Sequence, residues 1–350
     1  MRTSKQDKKK YSLKNDYSEG AHPNILKALS KTNLEQQPGY GNDDYSKQAA
    51  DLLRKKLQNE AVDIHFVSGG TQANLIVISS ILKKYESVIA AKTGHINTHE
   101  AGAIEAAGHK INTVESKNGK LSPEDIKPVL NQHTDEHMVQ PKLVFISNPT
   151  ELGTVYTKQE LVKLNSFCKE NDLLLYLDGA RLGSALCSSK NDLTLSELSE
   201  LVDVFYIGGT KNGALCGEAV IIPNDQIKEN FRFHLKQKGA LLAKGRVLGI
   251  QFLELFKDGL YFSLAEHANS MADKLSQNIE RRGYQFLNQT DSNQIFPIFA
   301  HQLIEKLKDR YSFHIWKKVK ANKSAVRLVT SWATQEKMID RFISDLEKYS

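Results

Sequence analysis

Leu-Leu-Leu-Tyr-Leu-Asp-Gly-Ala-Arg-Leu (173–182) and, one helix and one strand further along, Asp-Val-Phe-Tyr-Ile-Gly-Gly-Thr-Lys-Asn-Gly (203–213) follow one plan. In each, an apolar, β-prone run stops at glycine, and a chargeable residue stands at its end: Asp178 in the first, Lys211 in the second. Strands separated by helical segments imply a mostly parallel sheet. In such a sheet ligands collect outside the carboxyl ends of the strands, where these two residues fall.

A buried Asp and a Lys at neighbouring strand ends are what a pyridoxal phosphate site requires. The Lys amine carries the cofactor through its aldehyde, and the Asp keeps the pyridinium nitrogen protonated, so that the ring accepts electrons. A phosphate grip is also present. Val-Asp-Ile-His-Phe-Val (62–67) reads as a strand, Ser-Gly-Gly-Thr-Gln-Ala-Asn (68–74) as a turn, and Leu75–Leu82 as a buried helix. Gly69 and Gly70 let the backbone approach an anion, Thr71 adds a hydroxyl, and the helix start offers free N–H groups. The segment is neither Gly-x-Gly-x-x-Gly nor a P-loop. A Gly-Gly turn alone is equally a structural feature; its order before Asp178 and Lys211 gives it meaning.

Working outward, apolar runs at 62–67, 87–91, 110–114, 142–147, 173–177, 202–207 and 218–222 predict one seven-stranded sheet. Lys158–Lys169, with Leu161, Leu164 and Phe167 on one face, is the clearest helix between them. After about Gln251 the pattern changes. A long helix over 260–281, apolar runs at 284–287, 294–299 and 325–329, and helices near 300–309 and 334–348 predict a smaller α+β domain. The expected division is 1–250 and 251–350, with 1–14 a flexible basic tail.

Composition limits the function classes. The chain has 350 residues, 40% hydrophobic and 25% charged, which is ordinary for a globular protein. Its net charge of +6 owes much to Arg2, Lys5, Lys8, Lys9 and Lys10. No basic face for nucleic acid is evident beyond them. Three cysteines, without a Cys-x-x-Cys pair, suggest neither a disulfide framework nor a zinc site. They fit a reducing, cytoplasmic setting. No apolar leader or membrane-length run is seen. His99-Glu100 does not continue to His-Glu-x-x-His, and His133 and His137 lie in a strongly polar, loop-like stretch, so no metal site is read.

Five segments together resemble the low-specificity L-threonine aldolase branch of the β-eliminating lyases. They are Ser-Gly-Gly-Thr-Gln-Ala-Asn (68–74), Gly-His-Ile-Asn-Thr-His-Glu-Ala-Gly-Ala-Ile-Glu (94–105), Asp-Gly-Ala-Arg-Leu (178–182), Lys211 and Val-Arg-Leu-Val-Thr (326–330). The resemblance runs from about Asn15 to about Tyr349, and Asp-Gly-Ala-Arg is its most specific block. It implies the fold type I architecture of pyridoxal phosphate enzymes, with Lys211 as the Schiff-base lysine and Asp178 as the pyridinium partner. It places Gly69, Gly70 and Thr71 on the phosphate, His95 over the ring, and Arg181 and Arg327 on the substrate carboxylate. Asn15, His99 and Tyr40 are further expected contacts, Tyr40 in a neighbouring subunit's site. The implied assembly is a homodimer or homotetramer.

Departures from that pattern matter. Ser147–Thr154 holds no histidine where relatives place one near the substrate hydroxyl; Thr150 and Glu151 stand there instead. Asn15 replaces a serine. The arginine that assists the phosphate is missing from 237–246, leaving Lys238, Lys244 and Arg246 as stand-ins. The implied activity is cleavage of L-threonine or a related β-hydroxy-α-amino acid to glycine and an aldehyde, with the β-hydroxyl proton going to His95, or to a water held by His99 or Glu151. A β-eliminating lyase or aminotransferase shares every cofactor residue, and a cofactor-binding scaffold without turnover is the non-enzymatic alternative.

Overall fold

A computed structural model describes residues 10–349. Its centre is a seven-stranded sheet: β1 (Asp63–Val67), β2 (Glu86–Ala91), β3 (Lys110–Val114), β4 (Gln140–Ser147), β5 (Leu174–Asp178), β6 (Val204–Gly208) and β7 (Glu218–Ile222). The spatial order is β1-β7-β6-β5-β4-β2-β3. Only β7 runs against its neighbours; the pairs from β6 across to β3 are parallel. The sequence runs therefore form the expected sheet.

Both faces are covered, which is why the strands are nearly all apolar. Along β5, Leu175 and Leu177 enter one core with Phe205, Ile207 and the helix over Lys158–Glu170. Tyr176, between them, enters the other core with Tyr206, Val220 and the helix over Gly70–Ile81. This period of two sends alternate residues to opposite layers. The helix Lys158–Glu170 begins on a capping box, Thr157 with Glu160, which satisfies its first N–H groups.

Position 250 falls inside a helix, Arg246–Lys257, whose Phe252, Leu255 and Phe256 are buried in the large core. The next helix, Leu260–Arg281, changes partners along its length. Tyr261 and Leu264 pack on the large core, while Met271, Leu275 and Ile279 pack on a third core with Phe299, Leu328 and Phe342. We therefore propose that the division lies near Asp258, with this helix as the strut.

The smaller sheet joins Ile298–Ala300, Lys323–Val329 and His314–Lys320, with Gln294–Ile295 beside it. The apolar run 294–299 is split in two because Pro297 cannot donate to a ladder. Residues 284–287 form no strand, only a bridge from Phe286 to Pro297.

The expected flexible tail needs correction. Residues 1–9 lie outside the described residues, but Tyr11–Ser12 pairs in parallel with Tyr311–Ser312. Leu13 is fully buried in the third core. The segment thus forms its own two-stranded sheet with Tyr311–Ser312, and Leu13 O accepts from Val329 N of the small sheet at 2.9 Å, just before Asn15 and Asp16. Among the described residues, no helix is long and apolar enough to cross a membrane.

Candidate active site

The carboxyl ends of β1, β2, β4, β5 and β6 meet along one sheet edge. Asp178 closes β5 and is buried. Its Oδ1 accepts from the Tyr206 hydroxyl at 2.5 Å and from Ala180 N at 2.9 Å; its Oδ2 accepts from Asn74 Nδ2 at 3.2 Å. Burial, with the Asp178 charge beside it, pushes the Tyr206 phenol well above its ordinary range, so Tyr206 stays a donor. β5 and β6 approach closely here. A Cβ on Gly179 would lie 1.9 Å from Tyr206 O, and one on Gly208 would lie 2.2 Å from Ala180 O. Only glycine lets these two strand ends touch.

Past that contact the chain turns to Lys211. Gly209 N donates to Glu218 Oε2 at 2.9 Å, and Gly217 N to Thr210 Oγ1 at 3.0 Å, fixing the turn. Burial pushes the Glu218 carboxyl up to about 7, against the pull of Lys211. Among the described residues, no hydrogen bond or ion pair reaches Lys211 Nζ. Burial and the Arg181 charge lower its pKa, opposed by Asp16, Asp178 and Glu151. A lowered amine pKa puts more of the nucleophilic neutral form at neutral pH.

The Gly-Gly turn adjoins the same place. A Cβ on Gly70 would lie 2.9 Å from Tyr206 Oη, the atom that holds Asp178. Helix Gly70–Ile81 starts with no side-chain cap, and a Cβ on Gly69 would meet nothing within 4 Å. Thr71 is exposed beside them. Gln72 does not fill the gap; its Oε1 turns back to Ser68 N and Oγ, at 3.0 and 2.9 Å. The uncapped N–H groups are available to an anion.

His95 follows β2 and belongs to a buried chain of hydrogen bonds. Tyr176 Oη donates to Asn74 Oδ1 (2.7 Å), Asn74 Nδ2 donates to Glu100 Oε1 (2.6 Å), and that oxygen also meets His95 Nδ1 (2.7 Å). Burial pulls the His95 pKa down, but Glu100, Asp178 and Glu151 outweigh it and the net shift is upward. His99 lies edge-on to His95, with centroids 5.6 Å apart. It is exposed, and burial together with the His95 and Arg327 charges lowers its pKa.

The two expected carboxylate-binding arginines differ. Arg181 is engaged: Nε and Nη2 donate to Asp16 Oδ2 and Oδ1, at 2.7 and 3.0 Å. Asp16 is 1% exposed and also accepts from Asn293 Nδ2 at 2.9 Å. Despite burial, Arg181 and Lys211 hold its carboxyl below the ordinary range. Arg327, 9% exposed, has no ion pair among the described residues, and its buried Nε lacks a partner. Its guanidinium lies 5.1 Å from the Trp316 ring centroid. Burial and Arg181 lower its pKa. A buried guanidinium without an anion is costly, and an anion placed beside it would offset that cost.

Asn15 is beside this group, but its Oδ1 accepts from Tyr17 N and Ser18 Oγ. Its neighbour Asp16 makes the contact to Arg181. Tyr40 is not brought to Lys211 within this chain. It is 45% exposed, under Lys236 Nζ at 4.5 Å, and borders a cavity of about 350 Å³ with Arg54, His65 and Arg232. Of the basic stand-ins, Arg246 is engaged through Nη1 and Nη2 by the carbonyls of Thr32, Asn33 and Glu35. Lys238 lies nearer the Gly-Gly turn, its carbonyl accepting from Gln72 Nε2 at 3.5 Å.

The pattern of the beta-eliminating lyase family matches residues 13–302. The chain belongs to the beta-eliminating lyases. As a member of them it is 33% identical to the low specificity L-threonine aldolase of Pseudomonas sp. (strain NCIMB 10558), over 95% of each chain. The solved structure of Leishmania major threonine aldolase superposes with a TM-score of 0.95 at 49% identity, covering 97% of this chain and 99% of that one. A Thermus thermophilus aspartate aminotransferase gives 0.73 at 14% identity, which speaks to the shared fold type I architecture alone. For this beta-eliminating lyase the donor set fits pyridoxal phosphate: an uncapped helix start, a buried carboxylate and an unpaired amine.

Asp16, Asn74, Glu100, Tyr206 and Glu218 escaped the motif reading as site residues. Asn74 and Glu100 lay inside the quoted motifs, and their polarity within helix-like runs was the available signal. Asp16 carried none.

Proposed function

We propose that the protein is a pyridoxal-phosphate-dependent aldolase that cleaves L-threonine, or a related β-hydroxy-α-amino acid, to glycine and an aldehyde. The observation that carries this reading is the pairing of two unpartnered cations, half-buried Lys211 and buried Arg327. Lys211 awaits an aldehyde, and Arg327 awaits a carboxylate. When bound, the cofactor supplies an electron sink for the pair released at the substrate's Cα.

The chain's own residues do the rest. Lys211 Nζ would hold the cofactor through its aldehyde. Asp178, fixed by Tyr206, Ala180 and Asn74, keeps the proton on the ring nitrogen. The helix start at Gly69, Gly70 and Thr71 receives the phosphate, and His95, held by Glu100, borders the ring. Arg327 binds the substrate carboxylate. Arg181, neutralised by Asp16, orients the same group through Nη1, which has no protein partner among the described residues. Holding the carboxylate and amine together fixes which Cα bond faces the sink, and orientation is a large part of the rate.

Product analysis tests the reading. Purified holoenzyme given L-threonine is expected to release glycine and acetaldehyde in equal amounts. Ammonia with a keto acid, or amino transfer to a keto acid, would replace it with lyase or aminotransferase chemistry.

Arg327→Lys keeps the charge and loses the two-pronged donor. The lost charge-assisted bonding is worth about 1.5–3 kcal/mol, so KM for the amino acid should rise roughly 10- to 100-fold with a smaller change in kcat. An unchanged KM would assign Arg327 to packing on Trp316.

The reading extends to assembly and setting. Tyr40, Leu34 and Phe233 are large exposed side chains, suited to an interface. We place Tyr40 at a neighbouring subunit's site in a homodimer or homotetramer; a monomer by sedimentation would remove this. Three free cysteines fit a cytoplasmic enzyme, and localisation of a tagged chain to another compartment would exclude it.

A further inference from the structure

Glu151 has a position unlike any other carboxylate around Lys211. It sits in the turn after β4 and is 8% exposed. Yet among the described residues no hydrogen bond or ion pair reaches it. The others are partnered: Asp178 by Tyr206, Asp16 by Arg181, Glu100 by Asn74, and Glu218 by Gly209 N. A carboxylate that no protein donor holds keeps both oxygens free for an incoming group. The turn nevertheless holds it firmly. Thr150 N donates to Thr154 O at 2.9 Å, Gly153 N to Thr150 O at 2.9 Å, and the two threonine hydroxyls are 2.7 Å apart. Gly153 takes the left-handed φ of +78° that the turn demands. Asn148 N donates to Asp178 O at 3.0 Å, tying this turn to the strand end that carries Asp178.

The Glu151 charge acts on Lys211, Arg181, Arg327, His95 and His99. It therefore lies near the amine, the carboxylate-binding arginines and the two histidines. A cavity of about 10 Å³ beside it touches Thr93 and Gly94, the residues leading into His95. The competing proton acceptors are less freely placed: His95 Nδ1 is already engaged by Glu100 Oε1 at 2.7 Å, and His99 stands on the exposed side.

We infer that Glu151 is the group that takes the β-hydroxyl proton during cleavage. This rests on the aldolase reading above. The hydroxyl proton moves to a Glu151 oxygen, and the O–H pair becomes the second C–O bond of the departing aldehyde. The Cα–Cβ pair stays at Cα, which gains a proton to become glycine, and Glu151 returns its own proton to solvent. No proton or electron is left over.

The test separates cleavage from chemistry at Cα that needs no β-hydroxyl. Wild-type, Glu151→Gln and Glu151→Asp holoenzymes are compared for acetaldehyde release from L-threonine. The same samples are followed by NMR for deuterium entry at Cα of glycine in D2O. In Glu151→Gln, cleavage should fall more than about tenfold, toward the 10²–10⁴-fold typical of a lost acid–base group. Glycine exchange should stay within a few-fold of wild type, and Glu151→Asp should recover part of the cleavage. Cleavage within about tenfold of wild type in Glu151→Gln, or a parallel fall of cleavage and exchange in both variants, overturns the assignment. A wild type that exchanges glycine but cleaves no β-hydroxy amino acid takes the aldolase reading down with it, an outcome distinct from the first two.

Discussion

Lys211→Ala is expected to lower turnover by at least about 10⁴-fold and to abolish covalent fixation of the cofactor by borohydride. In the wild type, mass spectrometry of the reduced protein should place the added mass on Lys211. The chain offers many other lysines, so the prediction is demanding. The reason to single out this one is physical. Burial lowers its pKa, aided by Arg181, so its neutral, nucleophilic form is reached at a lower pH than for a solvated lysine. Because no hydrogen bond holds Nζ, removing it leaves no partner stranded. Apo Lys211→Ala should thus melt no lower than apo wild type, since an unpaired, half-buried ammonium does not stabilise a fold. A large drop in melting temperature would recast Lys211 as structural, and a label on another lysine would refute its role directly.

Much of this was legible before any coordinates. The strands show in sequence because burial on both faces makes each a continuous apolar run, and glycine punctuates their ends. Asp178 and Lys211 stand out because charge at the end of such a run needs a reason. What stayed hidden depends on contacts between distant segments. Asp16 and Arg181 are joined only when the N-terminal strand Tyr11–Ser12 pairs with Tyr311–Ser312, some three hundred positions away. Local periodicity carries no trace of that. His314–Lys320 is a strand whose side chains are mostly exposed. As an edge strand rich in lysine it lacks the apolar pattern that marks the others. Arg246, one of three basic candidates for the phosphate, instead secures the carbonyls at the end of helix Pro23–Thr32, a contact between segments more than two hundred positions apart.

The buried network also explains why Asp178→Asn should be more damaging than a near-isosteric change suggests. The carboxylate accepts at both oxygens: Tyr206 and Ala180 N on Oδ1, Asn74 on Oδ2. An amide must turn its NH2 toward one of these sides. Facing Asn74, it meets a donor whose own oxygen is committed to Tyr176. Facing Ala180 N, it meets a backbone donor that cannot rotate, although Tyr206 could turn to accept. Either way one donor is left unmatched, at about 1–3 kcal/mol of stability. Function loses more. Leaving a buried cation without its carboxylate costs about 3–5 kcal/mol, which corresponds to a turnover reduction of roughly 10²–10³-fold or somewhat beyond. Cofactor content should persist, because Lys211 and the helix start are untouched. The pairing of retained cofactor, measured by absorbance, with collapsed turnover is the signature to look for. Near-normal turnover in Asp178→Asn would mean that this carboxylate does not face the ring nitrogen, and that its three donors serve the fold alone.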